Sequence, residues 1–302
     1  MANKQPTGLM PAPPTALDAE GNADRATMGA LVRYMLDNGA TGLVPLGGTG
    51  EYTALSPRVR IDTVEACVEA AGGAPVYAGV LAPGLGDALP AARDFKAAGA
   101  DGIMLIVPYY AGLTQSLLID YVRTIRDRVD LPILFYDNPA RSRFVVKAET
   151  IARLAEDRTI VGMKASSTDL YHFDNVLRSV GPDFAALSGW DTLFAQQVSM
   201  GARGGVLTTG VLIPGIWPEI QKLAEAGRFK EALALQRSLN PLMDALFAEE
   251  NPGPLRAALR LIGIETGQSP LPVPPASDAL VARLEAILND LRSDGTIPSP
   301  AA

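Results

Sequence analysis

Cysteine and histidine are almost absent from this sequence of 302 residues, which contains one of each, Cys67 and His172. A single cysteine cannot form an intramolecular disulfide, and we expect a protein of the reducing cytoplasm. A single histidine excludes a metal site built on several imidazoles. It leaves one candidate for Ser-His-Asp or Cys-His chemistry, and a lone histidine in a predicted helix is more often structural than catalytic. We therefore predict no metal site.

Long apolar runs and basic clusters are also missing. The chain has no run of about 18 apolar residues, which a membrane helix requires, and its start lacks the continuous apolar segment of a signal peptide. The formal net charge is -7, and no cluster of Lys and Arg offsets it. We therefore expect neither a membrane nor a nucleic acid as a partner.

Short apolar runs do occur, each followed by a stretch with helical periodicity. Several of them are almost continuously apolar, which is typical of parallel strands buried on both faces. Eight strand-helix units predict the α/β class, as a (β/α)8 TIM barrel rather than an open sheet. The runs are residues 8–13, 42–46, 75–80, 102–107, 132–136, 160–164, 184–188 and 204–208.

The pattern changes after residue 210, where strand-like runs stop. Residues of about 215–265 and 277–293 have the i, i+3, i+4 spacing of consecutive helices, with a proline-rich connector between them. We predict that residues 1–214 form the barrel and carry the active site. Residues 215–302 are predicted to form a C-terminal helical extension.

Lys164 is the candidate nucleophile. It is the one lysine of six that lies in an apolar strand-like run, IVGMK. Active sites of TIM barrels lie at the carboxyl ends of the strands, and burial there favours the neutral amine, which can attack a ketone and form an imine. The alternative is a strand-end lysine that extends into solvent or pairs with a carboxylate.

Three further features follow neighbouring strands. The hydroxyl of Tyr136 could move protons during imine formation, although a packed aromatic side chain would have the same position. The glycine-rich loop at residues 47–50 offers backbone N–H groups for a carboxylate, or it is merely a tight turn. Arg141 could bind a second carboxylate with its planar fork, or be solvated.

Four segments together resemble the dihydrodipicolinate synthase / N-acetylneuraminate lyase family of Schiff-base aldolases. They are GGTGE at 47–51, VPYY at 107–110, FYDNPAR at 135–141 and GMKASSTDL at 162–170. Further matches at 187–191, 201–209 and 251–259 extend the resemblance over nearly the whole chain. Each motif alone is weak, whereas the combination is specific.

The resemblance implies roles for particular residues. Lys164 would form the imine with a 2-keto acid and Tyr136 would relay protons. Tyr110 would extend across a tight dimer interface into the active site of the partner copy. The residues implied in substrate binding are Gly48, Thr49, Arg141, Gly189, Asp191, Val206 and Thr208. The family also implies no cofactor and a homo-oligomer, usually a dimer of dimers.

At two positions this sequence departs from the pattern of the synthase branch of the family. Gly48 stands where the family's proton relay has a Ser or Thr hydroxyl, and Ala165 stands where the synthase often has Glu. Gly189 and Asp191 belong to a segment that resembles the lyase branch, where it contacts sugar hydroxyls, whereas Arg141 favours the synthase.

The first hypothesis is therefore a Schiff-base lyase or aldolase that acts on pyruvate or a 2-keto-3-deoxy sugar acid, making or breaking a carbon–carbon or carbon–oxygen bond. The second is dihydrodipicolinate synthase proper, which condenses pyruvate with aspartate semialdehyde. A third, from another class, is a non-catalytic ligand-binding barrel.

Overall fold

Seven parallel strands form one sheet in the computed structural model, which describes residues 4–297. Their order is β1-β7-β6-β5-β4-β3-β2, so each strand from β2 to β7 lies beside its neighbour in sequence. The strands are β1 (Gly8–Leu9), β2 (Tyr77–Val80), β3 (Gly102–Ile106), β4 (Ile133–Asp137), β5 (Gly162–Ala165), β6 (Ala185–Ser188) and β7 (Gly204–Gly205).

Residues 41–46, the closing segment, join the two edges of this sheet. On one side the N–H groups of Thr41 and Val44 donate to Leu9 O and Pro11 O, over 2.8 and 2.9 Å. On the other side Leu43 pairs with Val76 as an isolated parallel bridge. The segment therefore occupies the place of the predicted strand at 42–46. It makes no longer ladder because Pro45 has no N–H and the next residue, at φ 60°, leaves the extended region.

Helices alternate with the strands, as the sequence predicted, and none in the described part of the chain is both long and apolar enough to cross a bilayer. The prediction of a TIM barrel is confirmed. The helices are α1 (Arg25–Asp37), α2 (Pro57–Ala70), α3 (Leu85–Ala97), α4 (Gln115–Val129), α5 (Pro139–Ser142), α6 (Ala148–Glu156), α7 (Leu170–Ser179), α8 (Phe194–Met200), α9 (Thr209–Leu212), α10 (Trp217–Glu225), α11 (Phe229–Ser238), α12 (Asn240–Leu246), α13 (Gly253–Leu261) and α14 (Asp278–Ser293), with 3-10 turns at Tyr52–Ala54, Asp191–Leu193 and Pro214–Ile216.

Helices α10 to α14 form the region predicted as the C-terminal extension, except that its last residues, 298–302, lie outside the described part. Helix α10 packs against α8 and β1 and so completes the ring of helices around the barrel. Trp217, the first residue of α10, is fully buried, and its ring meets that of Phe194 edge-on at 5.3 Å. The boundary at residue 214 itself stays a prediction.

A buried ion pair fastens the extension to the glycine-rich loop at the mouth of the barrel. Arg256 of α13 contacts Glu51, the last residue of the GGTGE motif, and both side chains are almost completely buried. The guanidinium also donates to Thr15 O at 2.7 Å and to Thr266 O at 2.6 Å. A buried charge pair is retained only where hydrogen bonds satisfy it, and here they lock the loop's end in place.

Candidate active site

Lys164 and Tyr136 lie side by side at the carboxyl ends of β5 and β4, where they are partners in the parallel register. The lysine Nζ lies 4.5 Å from the centroid of the tyrosine ring, and each residue is only 7% exposed. Register partners on parallel strands point to the same face of a sheet. The ladder between β4 and β5 therefore suffices to bring the predicted nucleophile and the predicted proton carrier together.

Gly189 allows the chain after β6 to lie against the stem of Lys164. A Cβ atom at this glycine would come within 2.9 Å of Lys164 Cγ and 2.3 Å of Ser166 Oγ. In turn, the Ser166 hydroxyl donates to Gly189 O over 3.1 Å. The structure thus gives Gly189 a packing role beside the lysine, in addition to the substrate contact that the sequence predicted.

The hydroxyl of Tyr136 accepts a hydrogen bond from Asn138 Nδ2 over 2.9 Å. Burial by itself would raise the pKa of Tyr136. The positive charge of Lys164 and the hydrogen bonds with Asn138 and Ser166 outweigh burial, so the pKa of this phenol lies below its ordinary value. A phenol that ionises more readily is suited to exchanging protons with a neighbouring amine.

Two threonine hydroxyls from distant parts of the chain meet at the same, carboxyl end of the barrel strands. Thr49 Oγ1 and Thr208 Oγ1 are 3.4 Å apart, and both residues are buried. Asn251, in the loop before α13, donates to Thr49 Oγ1 over 3.0 Å. Since Thr49 accepts this bond, its own hydrogen is free for Thr208 or for a bound carboxylate.

Asp191 and Val206 hold the backbone that carries Thr208. Asp191 is buried, and its carboxylate accepts bonds from the backbone N–H groups of Thr208 at 3.3 Å and Thr209 at 2.7 Å. Burial raises the pKa of Asp191 above its ordinary value, although these hydrogen bonds act in the opposite direction. The Val206 N–H donates to Ser188 O at 2.7 Å. Asp191 therefore anchors the loop after β7 with both of its oxygens engaged.

Gly48, Arg141 and Tyr110 lie at the rim rather than with the buried residues. Gly48 is exposed, and a Cβ atom there would meet no other atom within 4 Å. The guanidinium of Arg141 is 72% exposed and pairs with Glu250 of the extension at 3.6 Å. Tyr110 is fully exposed, with a φ of 81°, a value that L residues rarely adopt. A single chain therefore does not bring Tyr110 to Tyr136.

Sequence reasoning missed three polar residues of the site, Asn138, Ser166 and Asn251. Asn138 and Ser166 each follow a recognised residue by two positions, so a polar side chain just past a strand end was an available signal. Asn251 had no local signal, because it is 202 positions from Thr49 in sequence.

His172 lies on the other side of the barrel wall, away from Lys164. Its Nε2 is 3.7 Å from Asp137 Oδ2, and Asp137 Oδ1 is buried without a hydrogen-bond partner among residues 4–297. Burial raises the pKa of Asp137 to about 7. The sequence interpretation gave the lone histidine no catalytic role, and its contacts here are with a strand residue that faces the helices.

Comparison with known proteins agrees with this architecture. The model of the dihydrodipicolinate synthetase family matches residues 5–291. A 4-hydroxy-tetrahydrodipicolinate synthase of Gluconacetobacter diazotrophicus is 34% identical over 276 residues, which cover 90% of this chain and 93% of the relative.

Solved structures are similar over the same extent. The dihydrodipicolinate synthase of Thermotoga maritima superposes with a TM-score of 0.90 at 30% identity, covering 96% of this chain and 99% of the other. The pyruvate complex of the enzyme from Acinetobacter baumannii gives 0.89 at 28% identity, covering 94% and 98%. The family predicted from the motifs is therefore confirmed, and so is the prediction of an enzyme: this chain belongs to the dihydrodipicolinate synthetase family of Schiff-base lyases.

Proposed function

We propose that the protein binds pyruvate or a 2-keto-3-deoxy sugar acid as an imine on Lys164 and makes or breaks a bond next to that imine. The observation that carries the proposal is the buried contact of Lys164 Nζ with the Tyr136 ring at 4.5 Å. Neither side chain is needed merely to bind a carboxylate, which argues against a non-catalytic binding barrel.

Proton transfer between these two residues prepares the nucleophile. Tyr136, as phenolate, takes a proton from the Lys164 ammonium, and the neutral amine attacks C2 of the keto acid. The carbonyl oxygen takes up two protons, one from the attacking nitrogen and one from the Tyr136 phenol, and leaves as water, so that a protonated imine forms and the phenolate is restored. This cation then accepts the electrons that are released when C3 loses a proton or when the C3–C4 bond breaks. Addition of water to the imine releases the product and restores the amine.

The glycine-rich loop and the threonine pair form the binding site for the C1 carboxylate in this scheme. Thr49 has a hydroxyl hydrogen that its bond from Asn251 leaves free. The backbone N–H groups around Gly48 add further donors. Thr208 and the backbone at Val206 close the opposite side. An oxyanion in such a buried site is held by donors fixed before it arrives.

Dihydrodipicolinate synthase proper is the second candidate. Arg141 favours it, because an exposed guanidinium at the rim can bind the carboxylate of a second substrate after releasing Glu250. Relatives in Gluconacetobacter and other organisms are named 4-hydroxy-tetrahydrodipicolinate synthase. Gly48 and Ala165 remain the residues that count against this activity.

Borohydride reduction in the presence of pyruvate, followed by peptide mass spectrometry, tests the imine. We expect a reduced adduct on Lys164 of the wild type and none in Lys164→Met. The matched control is Lys222→Met, which removes an exposed lysine of α10 and should leave the adduct intact. If neither pyruvate nor a panel of 2-keto-3-deoxy acids gives an adduct on Lys164, the proposal is wrong.

Gly48→Thr distinguishes the two candidates. The added side chain enters open space, so we expect little change in stability. A large gain in the condensation of pyruvate with aspartate semialdehyde would identify a synthase that lacks its relay hydroxyl. A loss of turnover of 2-keto-3-deoxy acids would identify a lyase in which the glycine makes room for substrate. No change in either rate would contradict both interpretations.

The assembly and the compartment are further proposals. An exposed Tyr110 with a rare backbone conformation is consistent with a homo-oligomer, a dimer of dimers, in which a partner copy covers this residue. The lone Cys67 is free and fully buried, and burial raises the pKa of its thiol to about 12. A protein built without disulfides is consistent with the cytoplasm.

A further inference from the structure

Asn138 takes up the hydrogen-bonding position on Tyr136 that no residue of the glycine-rich loop fills. Its Nδ2 is 2.9 Å from the Tyr136 hydroxyl oxygen. Gly48 has no side chain that could make such a bond, and a Cβ atom there would enter open space. Within the described residues, the amide of Asn138 makes a hydrogen bond of 2.9 Å to this hydroxyl, and the hydroxyl of Ser166 is the second side chain that contacts it.

The orientation of the Asn138 amide is fixed by a second bond. The backbone N–H of Arg141 donates to Asn138 Oδ1 over 3.2 Å, which caps the first turn of α5. A backbone N–H can only donate, so the amide oxygen must face Arg141. The amide nitrogen must then face Tyr136, because the bond from the Arg141 N–H distinguishes Oδ1 from Nδ2.

An amide N–H group donates a hydrogen bond but cannot accept one, whereas a Ser or Thr hydroxyl does both. A hydroxyl beside Tyr136 could therefore pass its proton onward. Asn138 cannot do this, and the hydroxyl of Ser166, which also contacts Tyr136, donates its own hydrogen to Gly189 O, a carbonyl that passes no proton on. The proton of the Tyr136 phenol therefore leaves through neither side chain. The open directions are toward the neighbouring Lys164 and toward the substrate that occupies the mouth of the barrel.

We propose that Asn138 is a positioning residue for Tyr136. Its amide stabilises the Tyr136 phenolate and orients the phenol so that Tyr136 exchanges its proton only at the imine centre on Lys164. The inference rests on the proposed function, because it assigns the direction of proton flow in that reaction. The lowered pKa of Tyr136, to which the Asn138 bond contributes, is consistent with it. It also explains how a site with glycine at position 48 keeps a working tyrosine.

Two substitutions separate this role from helix capping. Asn138→Ser keeps a side-chain oxygen that caps α5 but removes the amide donor. Asn138→Asp also keeps the capping oxygen and replaces the donor by an acceptor, which reverses the polarity of the bond to Tyr136. Asn289→Asp on the exposed face of α14 is the control for an added negative charge.

The first measurement is the ultraviolet titration of tyrosinate without substrate, taken as the difference between each protein and its Tyr136→Phe counterpart. We expect Tyr136 to ionise at higher pH in Asn138→Ser and at still higher pH in Asn138→Asp. The second measurement is the rate at which the pyruvate adduct forms on Lys164, trapped with borohydride at a series of pH values. We expect it to fall about 5-fold in the serine variant and roughly 100-fold in the aspartate variant, with unchanged unfolding temperatures.

The outcomes distinguish this inference from the proposed function. If the wild type forms no adduct with any 2-keto acid but the tyrosinate titration shifts, the proposed function fails and the donor role of Asn138 stands. If the wild type forms the adduct, and the tyrosinate titration and the pH–rate profile of both variants are the same as those of the wild type, Asn138 does not position Tyr136. A rate loss that merely follows a loss of folded protein would overturn the inference as well.

Discussion

Tyr136 and Asp137 are consecutive residues of β4, both are buried, and they face opposite sides of the barrel wall. Tyr136 faces Lys164 on the inner side, and its pKa is lowered despite burial. Asp137 faces the helices, with His172 at 3.7 Å and one oxygen unpartnered, and burial raises its pKa to about 7.

The difference teaches that burial alone does not decide how an acidic group behaves. Burial disfavours the charged form of both side chains. A nearby cation and well-placed donors reverse that effect for Tyr136, whereas the described part of the chain offers no hydrogen-bond donor to Asp137 Oδ1. The inner face of the barrel wall thus favours the ionised form of the Tyr136 phenol, whereas the outer face favours the neutral form of the Asp137 carboxyl. Three experiments test this contrast.

The largest effect should come from Tyr136→Phe. The ring still covers Lys164, but the hydroxyl that carries the proton is lost. We expect kcat to fall by about 10²–10⁴-fold with little change in unfolding temperature. Tyr171→Phe removes the hydroxyl of an exposed tyrosine on α7 and serves as the control. A Tyr136→Phe enzyme with wild-type kcat would refute the role of the phenol.

The next effect is on the ionisation of Tyr136 itself. Lys164→Met removes the charge that contributes most to lowering the pKa of Tyr136. We expect the tyrosinate transition to move to a pH roughly 1–3 higher, while Lys222→Met leaves it in place. An unmoved transition in Lys164→Met would mean that Lys164 does not set the ionisation of the inner face.

The smallest effect, on stability, should come from Asp137→Asn on the outer face. Folded Asp137 keeps its proton up to about pH 7, whereas an unfolded aspartate loses it near pH 4. Between these values the folded state binds more protons, so its free energy of unfolding decreases as pH rises. Asparagine carries no such charge, and the variant should be more stable above pH 7 by on the order of 1–3 kcal/mol.

Urea unfolding at low and at high pH measures this difference. The two proteins should have similar stability at pH ~3, where Asp137 is mostly protonated in both states, and should diverge as pH rises to about 7. Asp278→Asn, which removes a carboxylate at an exposed position of α14, is the matched control. We expect kcat to stay near the wild-type value, in contrast to Tyr136→Phe. Equal stabilities at high pH would show that Asp137 is not destabilised by its charge.

The sequence determined the strands of the barrel because continuous apolar runs have no stable place except a sheet covered on both faces. Seven of the eight predicted runs are strands of the sheet. The eighth, at 42–46, pairs with both edges but is interrupted by Pro45, a local effect that the run's hydrophobicity did not show. The helical character of the C-terminal region followed from its periodicity. That α10 completes the ring became clear only from packing.

The active pair was also predictable, since Lys164 and Tyr136 end adjacent strands and parallel register brings such residues together. The contacts that tune the pair were not. Asn138 acts through an amide whose direction Arg141 fixes, and Asn251 reaches Thr49 from the extension. The sequence by itself determined which side chains are the candidates for the chemistry, because strand periodicity is local. Only the tertiary structure decided which donors and charges surround them, because those contacts join residues that no local pattern relates.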